Sequence, residues 1–351
     1  MLGIGWLMLE FFARPKIAIG FFIFAMALIP LNDSLIKLMS DHLSIFQILA
    51  LRAVVCLALI ALIPTAISSV LDLKLPTILK LSFRGVCLVG AMLFFFLPLA
   101  TLSLAETTAI FFTAPLLISL LSVPVLGEKI GILRISAVII GLIGVLVIVR
   151  PDSEGFQWAY IMPALSALSY SLFQVITRYL RNEAPLTAMV AFQNLVYFMT
   201  GLVGLAITMA IGSQGFEGPV WGFLMRGWQT PYLHEYAYFV AGGFIVLTLA
   251  FASTNVYSNV EATLVAPFEY VALPTAVIWG ILIWDDWPDL NAWVGIALIV
   301  GSGLFVIYRE NAKDQEVVAS VPMRASTTNN ENISEDQLIG HRHYEPMPLC
   351  F

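Results

Sequence analysis

Charge is scarce in this sequence. Only 11% of its 351 residues are Asp, Glu, Lys or Arg, whereas 60% are hydrophobic and the mean hydropathy is +0.90. A soluble globular domain carries about 25% charged residues and has no place for so much apolar surface. The composition therefore excludes the soluble class. It favours an all-α integral membrane protein surrounded by a lipid bilayer, with no nucleic acid as a partner.

Cysteines, histidines and nucleotide-binding loops are also few or absent. The three cysteines lack the spacing of metal ligands, and the four histidines do not cluster with carboxylates at helical spacing. The phosphate-binding pattern G-x-x-x-x-G-K-[ST] does not occur. We therefore expect no metal, no cofactor and no catalytic residue, and an energy source other than ATP. A membrane enzyme and a channel-like membrane protein are two functional classes that remain as alternatives for such a membrane protein.

Long apolar runs are abundant. They predict ten transmembrane helices, since about 20 apolar residues cross the roughly 30 Å of hydrocarbon. The N-terminal segment 1–16 lacks a basic region and a cleavage site and is predicted to be interfacial, whereas the polar, aperiodic segment 311–351 is predicted to be a disordered cytoplasmic tail. The predicted spans fall at about 17–39, 44–66, 80–101, 106–126, 133–150, 158–179, 187–211, 236–256, 262–284 and 291–308.

The distribution of basic residues predicts the orientation. With the N-terminus inside, most Lys and Arg residues of the loops fall on the cytoplasmic side, and the external segments hold only Lys37, Arg150 and Arg226. Cytoplasmic loops of membrane proteins carry this excess of basic residues. Both ends of the chain are therefore expected in the cytoplasm.

The two halves of the chain resemble each other weakly. A shift of 141 positions pairs Arg52 with Gln193, and a shift of 152 pairs Pro115 with Pro267. Each of these prolines interrupts an apolar span, and lipid cannot replace the backbone donor that a proline removes. Five helices per half is an odd number, so the second copy enters the membrane upside down. Paired, proline-broken spans of this kind are typical of transporters built from inverted repeats.

Three charged residues lie inside the first two spans. Asp33 and Lys37 are four residues apart and share a helix face. Asp33 and Arg52 lie at similar depths, roughly 9 and 12 Å from the outer end. An ion pair between Asp33 and Arg52 that fixes helix packing is one interpretation, and contact with a substrate or proton is the other. Asn32 adds hydrogen-bonding capacity at the same level.

Glu269 is the only charged side chain of the ninth span. A carboxylate inside a membrane is costly unless it faces other helices, water or a ligand. Burial would favour its protonated form, whereas a cationic neighbour or substrate would keep it ionised. Glu269 is therefore a candidate for substrate or proton binding, with helix packing as the alternative. Tyr270 and Tyr257 are candidate neighbours. The phenylalanines at 94–96 and 111–112 are expected in the core or against lipid, with stacking on a planar substrate as the alternative.

Two segments carry a recognisable pattern. In 105–151 the fourth span contains Pro115 and ends in Gly127-Glu128 before the fifth span, and 265–310 is organised in a similar way. These segments resemble the EamA-type repeats of the drug/metabolite transporter superfamily. The resemblance covers about residues 17–310. It implies a ten-helix carrier made of two inverted five-helix repeats, 17–151 and 152–310, which works by alternating access, usually in a bacterial inner membrane.

Shorter motifs resemble one branch of that superfamily. The Asn32-Asp33 pair, Phe83-Arg84-Gly85 and the Pro-x-x-Tyr of 267–270 look like the branch that contains bacterial S-adenosylmethionine carriers and riboflavin importers. The second repeat departs from the usual pattern, because Asp285 stands where a glycine is usual, so the resemblance leaves the form of the turn open there.

The expected function is secondary transport of a small metabolite. The resemblance implies a substrate like S-adenosylmethionine, riboflavin or an amino acid, bound near the midplane between the repeats. Asn32, Asp33, Arg52, Glu269 and Tyr270 are the candidate binding residues, and Pro115 and Pro267 mark the expected helix breaks. Export of amino acids or drugs is the alternative to uptake, and a non-carrier membrane protein is the alternative to both.

Overall fold

The structure is helical throughout the part of the chain that it describes. This computed structural model describes residues 15–63, 66–102, 104–128, 131–149, 158–212, 219–285, 287–298, 300–302 and 305. Within these ranges every regular element is an α-helix or a short 3-10 helix. The all-α prediction is confirmed there. Residues 1–14 of the predicted interfacial segment 1–16 and the predicted tail 311–351 lie outside the described residues, and residues 15 and 16 already belong to the first helix.

The elements follow one another with short connections. The longest helices are α1, α9 and α11, each longer than 25 residues. In chain order the α-helices are α1 (Pro15–Ser40), α2 (Ile45–Ala61), α3 (Ala66–Leu71), α4 (Leu75–Phe96), α5 (Leu104–Phe111), α6 (Ala114–Leu126), α7 (Ile132–Val149), α8 (Ile161–Tyr179), α9 (Leu186–Ile211), α10 (Pro219–Met225), α11 (Leu233–Asn259), α12 (Ala262–Val265), α13 (Ala272–Trp284) and α14 (Leu290–Ser302).

Several of these helices are membrane spans by length and composition. Among the described residues, six helical segments are long and apolar enough to cross a bilayer: Ile17–Ser40, Leu75–Leu99, Thr107–Leu126, Leu186–Ile211, Leu233–Asn259 and Ala262–Trp284. The protein is therefore an integral membrane protein. The other predicted spans overlap helices α2, α7, α8 and α14, which are shorter or less apolar, so the count of ten stays a prediction.

The core lies where the helices of the two sequence halves meet. The most extensive packing joins α2 to α9, α4 to α8, and α1 to α11. Next come α6 with α8, α4 with α9, α1 with α13, and α2 with α11. Each of these seven pairs takes one helix from residues 17–151 and one from 152–310. The seam between the halves is therefore the centre of the molecule.

The pair α2 and α9 packs closely because glycine replaces a side chain at the crossing. A Cβ atom added at Gly201 would lie 2.7 Å from the Ala50 nitrogen and 2.8 Å from the Phe46 carbonyl oxygen. Small residues allow two transmembrane helices to bring their backbones together in this way.

Two spans are interrupted close to Pro115 and Pro267, where helix breaks are expected. The first stops at Phe111 and restarts at Ala114, so that Pro115 lies in the first turn of α6, where its missing N–H is tolerated. The second changes from α-helix to 3-10 helix over Ala266–Val271, a stretch that contains Pro267. Phe111 lies at the first interruption and Glu269 within the second.

The turns that end these two spans have the same backbone shape. Gly127 follows α6 with φ +70°, and Asp285 follows α13 with φ +54°, both in the left-handed region. The turn at Asp285, which the sequence left open, therefore has the same form as the turn at Gly127. Aspartate tolerates this region better than most residues, and the Asp285 Oδ1 accepts a hydrogen bond of 2.9 Å from the Trp287 indole nitrogen, which holds the carboxylate in place.

Candidate functional site

A cavity of about 150 Å³ lies at the seam between the halves. Helices α1, α2, α4, α5, α8, α9 and α11 and the 3-10 segment Ala266–Val271 contribute its wall. Most of the wall is apolar, so the few polar groups stand out. They are Asn32, Asp33, Arg52, Thr108, Ser166, Tyr170, Gln193, Tyr197, Ser253 and Glu269. Four of the five candidate binding residues, all except Tyr270, therefore meet in one cavity.

The groups from α1 and α2 form one polar side of the cavity. The Asn32 side-chain nitrogen donates a hydrogen bond of 3.2 Å to the Asp33 Oδ1. Arg52 is buried; its Nη2 contacts the Met92 sulfur at 3.1 Å, and its guanidinium lies 5.5 Å from the centre of the Tyr197 ring. No ion pair between Asp33 and Arg52 is found among the described residues, so both charges face the cavity without neutralising each other directly.

Glu269 is held by two tyrosines. Its side chain is 1% exposed, and its Oε1 accepts hydrogen bonds from the hydroxyl groups of Tyr170 at 3.0 Å and Tyr257 at 2.6 Å. The Gln174 amide donates in turn to the Tyr170 hydroxyl at 2.6 Å and to Ser253 at 2.9 Å. Both tyrosines bind the same carboxylate oxygen, so Oε2 is the acceptor that remains for another group.

Three further polar atoms in the wall lack a partner. They are Asn32 Oδ1, Thr108 Oγ1 and Gln193 Oε1, which are buried and have no hydrogen bond among the described residues. A buried polar atom without a partner costs about 1 to 3 kcal/mol, so such atoms in one cavity call for an explanation. A bound polar ligand would satisfy them.

Aromatic rings complete the wall. Phe95, Phe96, Phe111, Phe112 and Phe173 all line the cavity. The centre of the Phe111 ring lies 5.4 Å from that of Phe95 and 5.3 Å from that of Tyr170, distances typical of packed aromatic pairs. Phe95, Phe96 and Phe112 are buried in the core, as expected, and they line the cavity as well. They give the cavity flat apolar surfaces.

Tyr270, the fifth candidate, lies behind the wall. It packs in an apolar cluster with Phe112, at 5.9 Å between ring centres, and its buried hydroxyl group has no partner among the described residues. A 3-10 helix has three residues per turn, so neighbouring side chains point about 120° apart. Since Glu269 points into the cavity, Tyr270 points away from it.

Replacing Tyr270 with Phe should therefore leave transport unchanged within about twofold and keep or slightly raise thermal stability, because it removes a buried hydroxyl group that makes no hydrogen bond. The measurement is uptake into proteoliposomes together with the melting temperature of the purified protein. A large loss of uptake would return Tyr270 to the binding site. The matched variant is Tyr257→Phe, which removes a hydroxyl group that does bind Glu269 and should lower uptake.

The polar residues that the sequence did not single out come mainly from the second half. They are Thr108, Ser166, Tyr170, Gln193, Tyr197 and Ser253. A signal for one of them was present, because the repeat pairs Arg52 with Gln193, and both line the cavity. The repeat also pairs Ser253 with Thr101, but a serine on an apolar helix often bonds to its own backbone, and Tyr170 carries no repeat signal.

The sequence matches a known family and named relatives. The EamA-like transporter family matches residues 16–150. The chain is 30% identical over 219 residues to a riboflavin transporter of Rhizobium johnstonii, an alignment that covers 62% of this chain and 66% of that protein. It is 25% identical over 295 residues to an S-adenosylmethionine uptake transporter of Rickettsia conorii, covering 83% of this chain and 92% of that protein.

A riboflavin transporter of Brucella anthropi is 27% identical over 210 residues, covering 59% of this chain and 68% of its own. One crystal structure matches with a TM-score of 0.61 at 19% identity, covering 86% of this chain and 98% of that one, and so supports the fold alone. Together with the apolar helices described above, these matches show that the chain belongs to the EamA-like transporters of the drug/metabolite transporter superfamily, in the branch that includes S-adenosylmethionine and riboflavin transporters.

Proposed function

We propose that this protein is a secondary carrier that moves a small charged metabolite across a bacterial inner membrane by alternating access. The observation that carries the proposal is the central cavity, whose wall contains Asp33, Arg52 and Glu269 between the two halves. Charges at this depth in a membrane protein commonly mark a substrate or ion pathway. A cavity with aromatic walls and few polar groups is also the usual form of a small-molecule site.

The packing supports two inverted repeats, 17–151 and 152–310. If α1, α2 and α4 correspond to α8, α9 and α11, the contact of α4 with α8 becomes that of α11 with α1. The contact of α4 with α9 becomes that of α11 with α2, and α2 with α9 maps onto itself. A pseudo-two-fold axis between the halves explains this pairing, and it is the arrangement on which alternating-access carriers are built.

Polar contacts join the halves at both ends of the cavity, as alternating access requires. At the end where α1 stops, the Arg226 guanidinium donates to the Ser40 carbonyl oxygen at 2.7 Å. At the opposite end, the Lys80 ammonium lies 2.6 Å from the Glu183 carboxylate. At that end too, the Glu128 carboxylate accepts the backbone N–H groups at 262 and 263, both at 3.3 Å. We assign this second end, which carries most of the basic residues, to the cytoplasm.

The charges of the cavity suggest the substrate class. Two acidic side chains, Asp33 and Glu269, stand against one basic side chain, Arg52. The complementary ligand carries one more positive than negative charge. S-adenosylmethionine, with a sulfonium, an ammonium and a carboxylate group, has this charge. The flat aromatic walls suit its purine ring. We therefore propose that the carrier transports a substrate like S-adenosylmethionine and does not alter it chemically.

A neutral flat ring such as riboflavin is the second candidate, which the aromatic wall favours. The test is counterflow in proteoliposomes loaded with unlabelled S-adenosylmethionine, with labelled S-adenosylmethionine outside. We expect accelerated exchange that excess riboflavin inhibits weakly. Exchange of riboflavin alone would favour the second candidate. No exchange of either compound would contradict both, and linear flux without counterflow would indicate a pore instead of a carrier.

A further inference from the structure

A buried arginine lies outside the central cavity. Arg84 on α4 is 1% exposed, and its guanidinium donates to the hydroxyl groups of Thr177 at 2.7 Å and Thr254 at 3.1 Å and to the Met189 carbonyl oxygen at 3.1 Å. These three acceptors are neutral. They come from α8, α11 and α9, so the guanidinium joins four helices.

This charge has no carboxylate partner in the described part of the chain. The ion pairs found there involve His42, Lys80 and Arg178, but not Arg84. A guanidinium has five N–H donors, and the three bonds found leave two of them available. Joining helices by hydrogen bonds needs no net charge, and a buried charge is costly unless it is paired. The Phe173 ring, whose centre lies 4.2 Å from the guanidinium carbon, offsets part of this cost by a cation–π contact. The remaining cost calls for a role that uses the positive charge.

Arg84 lies directly below the cavity on the cytoplasmic side. On α4 the cavity-lining residues Leu88, Ala91 and Phe95 follow it by four, seven and eleven positions, which is one helix face. On α8, Thr177 follows the lining residue Phe173 by four positions, and on α11, Thr254 follows Ala250 by four. The lining faces thus continue by one turn into the group around Arg84.

One aromatic ring borders both places. Phe173 lines the cavity, and the centre of its ring lies 4.2 Å from the Arg84 guanidinium carbon. The Phe173 side chain thus contacts both the cavity and the arginine.

We propose that Arg84 is a second ligand position, which receives a carboxylate or phosphate group from the central cavity when the Phe173 ring moves aside. The ligand is an anionic group because a guanidinium with two available N–H donors matches the two oxygens of a carboxylate or phosphate. The position lies on the route from the cavity to the cytoplasm. This inference rests on the proposed carrier function, since only a moving substrate needs a second position.

The test measures the local charge without using a transported substrate. Cys56, Cys87 and Cys350 are replaced with Ala, and Thr254→Cys places a thiol beside Arg84 in the full chain. In proteoliposomes we expect a sulfonate-bearing methanethiosulfonate to modify this thiol about tenfold faster than a trimethylammonium-bearing one, because the guanidinium attracts the anion. Adding Arg84→Gln should remove the preference. The adjacent control, Ser253→Cys, faces the two acids of the cavity and should prefer the cationic reagent.

Three outcomes would overturn the inference: no reaction of the Thr254→Cys thiol with either reagent, equal rates with Arg84 intact, or a preference that survives Arg84→Gln. The first two need no variant of Arg84, so they hold even if Arg84→Gln fails to fold. Uptake of S-adenosylmethionine by the wild-type protein tests the proposed function separately. If the wild-type protein transports no S-adenosylmethionine but the Arg84-dependent preference is found, the proposed anion position stands and the proposed substrate is wrong.

Discussion

Glu269→Gln is expected to reduce uptake of a cationic substrate by about 100-fold. The variant keeps the shape of the side chain and an oxygen that can accept the hydrogen bonds of Tyr170 and Tyr257, but it removes the negative charge. Removing one partner of a buried charge contact costs about 2 to 5 kcal/mol, and 2.7 kcal/mol corresponds to about 100-fold. Initial rates of uptake of labelled S-adenosylmethionine into proteoliposomes are the measurement.

The matched control is Glu183→Gln. It makes the same chemical change at a partly exposed carboxylate that pairs with Lys80 at the surface, where an ion pair is worth about 0 to 1 kcal/mol. We expect its uptake to stay within about threefold of the wild type. Full uptake by Glu269→Gln, with normal elution from a sizing column, would show that Glu269 has a packing role only.

Gly201→Val is expected to cause the largest loss of stability. The new Cβ would meet the Ala50 nitrogen and the Phe46 carbonyl oxygen at less than 3 Å, and both are backbone atoms that no rotamer change can move. Helix α9 must therefore shift away from α2. Overpacking of this kind typically costs about 1 to 3 kcal/mol, and more where backbone has to move. We expect a lower melting temperature and a lower yield of monodisperse protein.

Gly20→Val is the matched control for this prediction. Gly20 is exposed on α1, and a Cβ added there meets no atom within 4 Å. The same substitution should leave melting temperature and yield nearly unchanged. Equal behaviour of the two valine variants would mean that the glycine contact between α2 and α9 does not determine their separation.

The charged part of the site was predictable from the sequence because charge is a rare signal in a membrane span. Asp33, Arg52 and Glu269 each interrupt an apolar run, and all three line the cavity. The distinction between Glu269 and Tyr270 was not predictable, since it depends on the local change from α-helix to 3-10 helix. Which phenylalanines line the cavity was not predictable either, because the face that a phenylalanine turns to the seam depends on how the helices cross.

Helix boundaries show the same limit. The third span was expected to begin at Lys80, but α4 begins at Leu75, because Lys80 sits on the helix with its ammonium group reaching Glu183 at the surface. A long basic side chain can extend to water from inside a span, so hydropathy places the boundary too late. The short helices α3 and α10 went unnoticed for a different reason, since six or seven residues carry too little periodicity to detect.

The carboxylate of Glu128 changes how the Gly127-Glu128 motif is understood. By sequence it marks a local turn after α6, yet its oxygens hold the first backbone N–H groups of α12 and lie 3.8 Å from the Arg178 side chain, both in the other half of the chain. Its partners across the seam can diverge in sequence while still supplying backbone donors. A motif found by comparing single repeats thus marks a contact between the two repeats. A chimera that exchanges one repeat for that of a relative should keep this contact wherever Gly127 and Glu128 are retained.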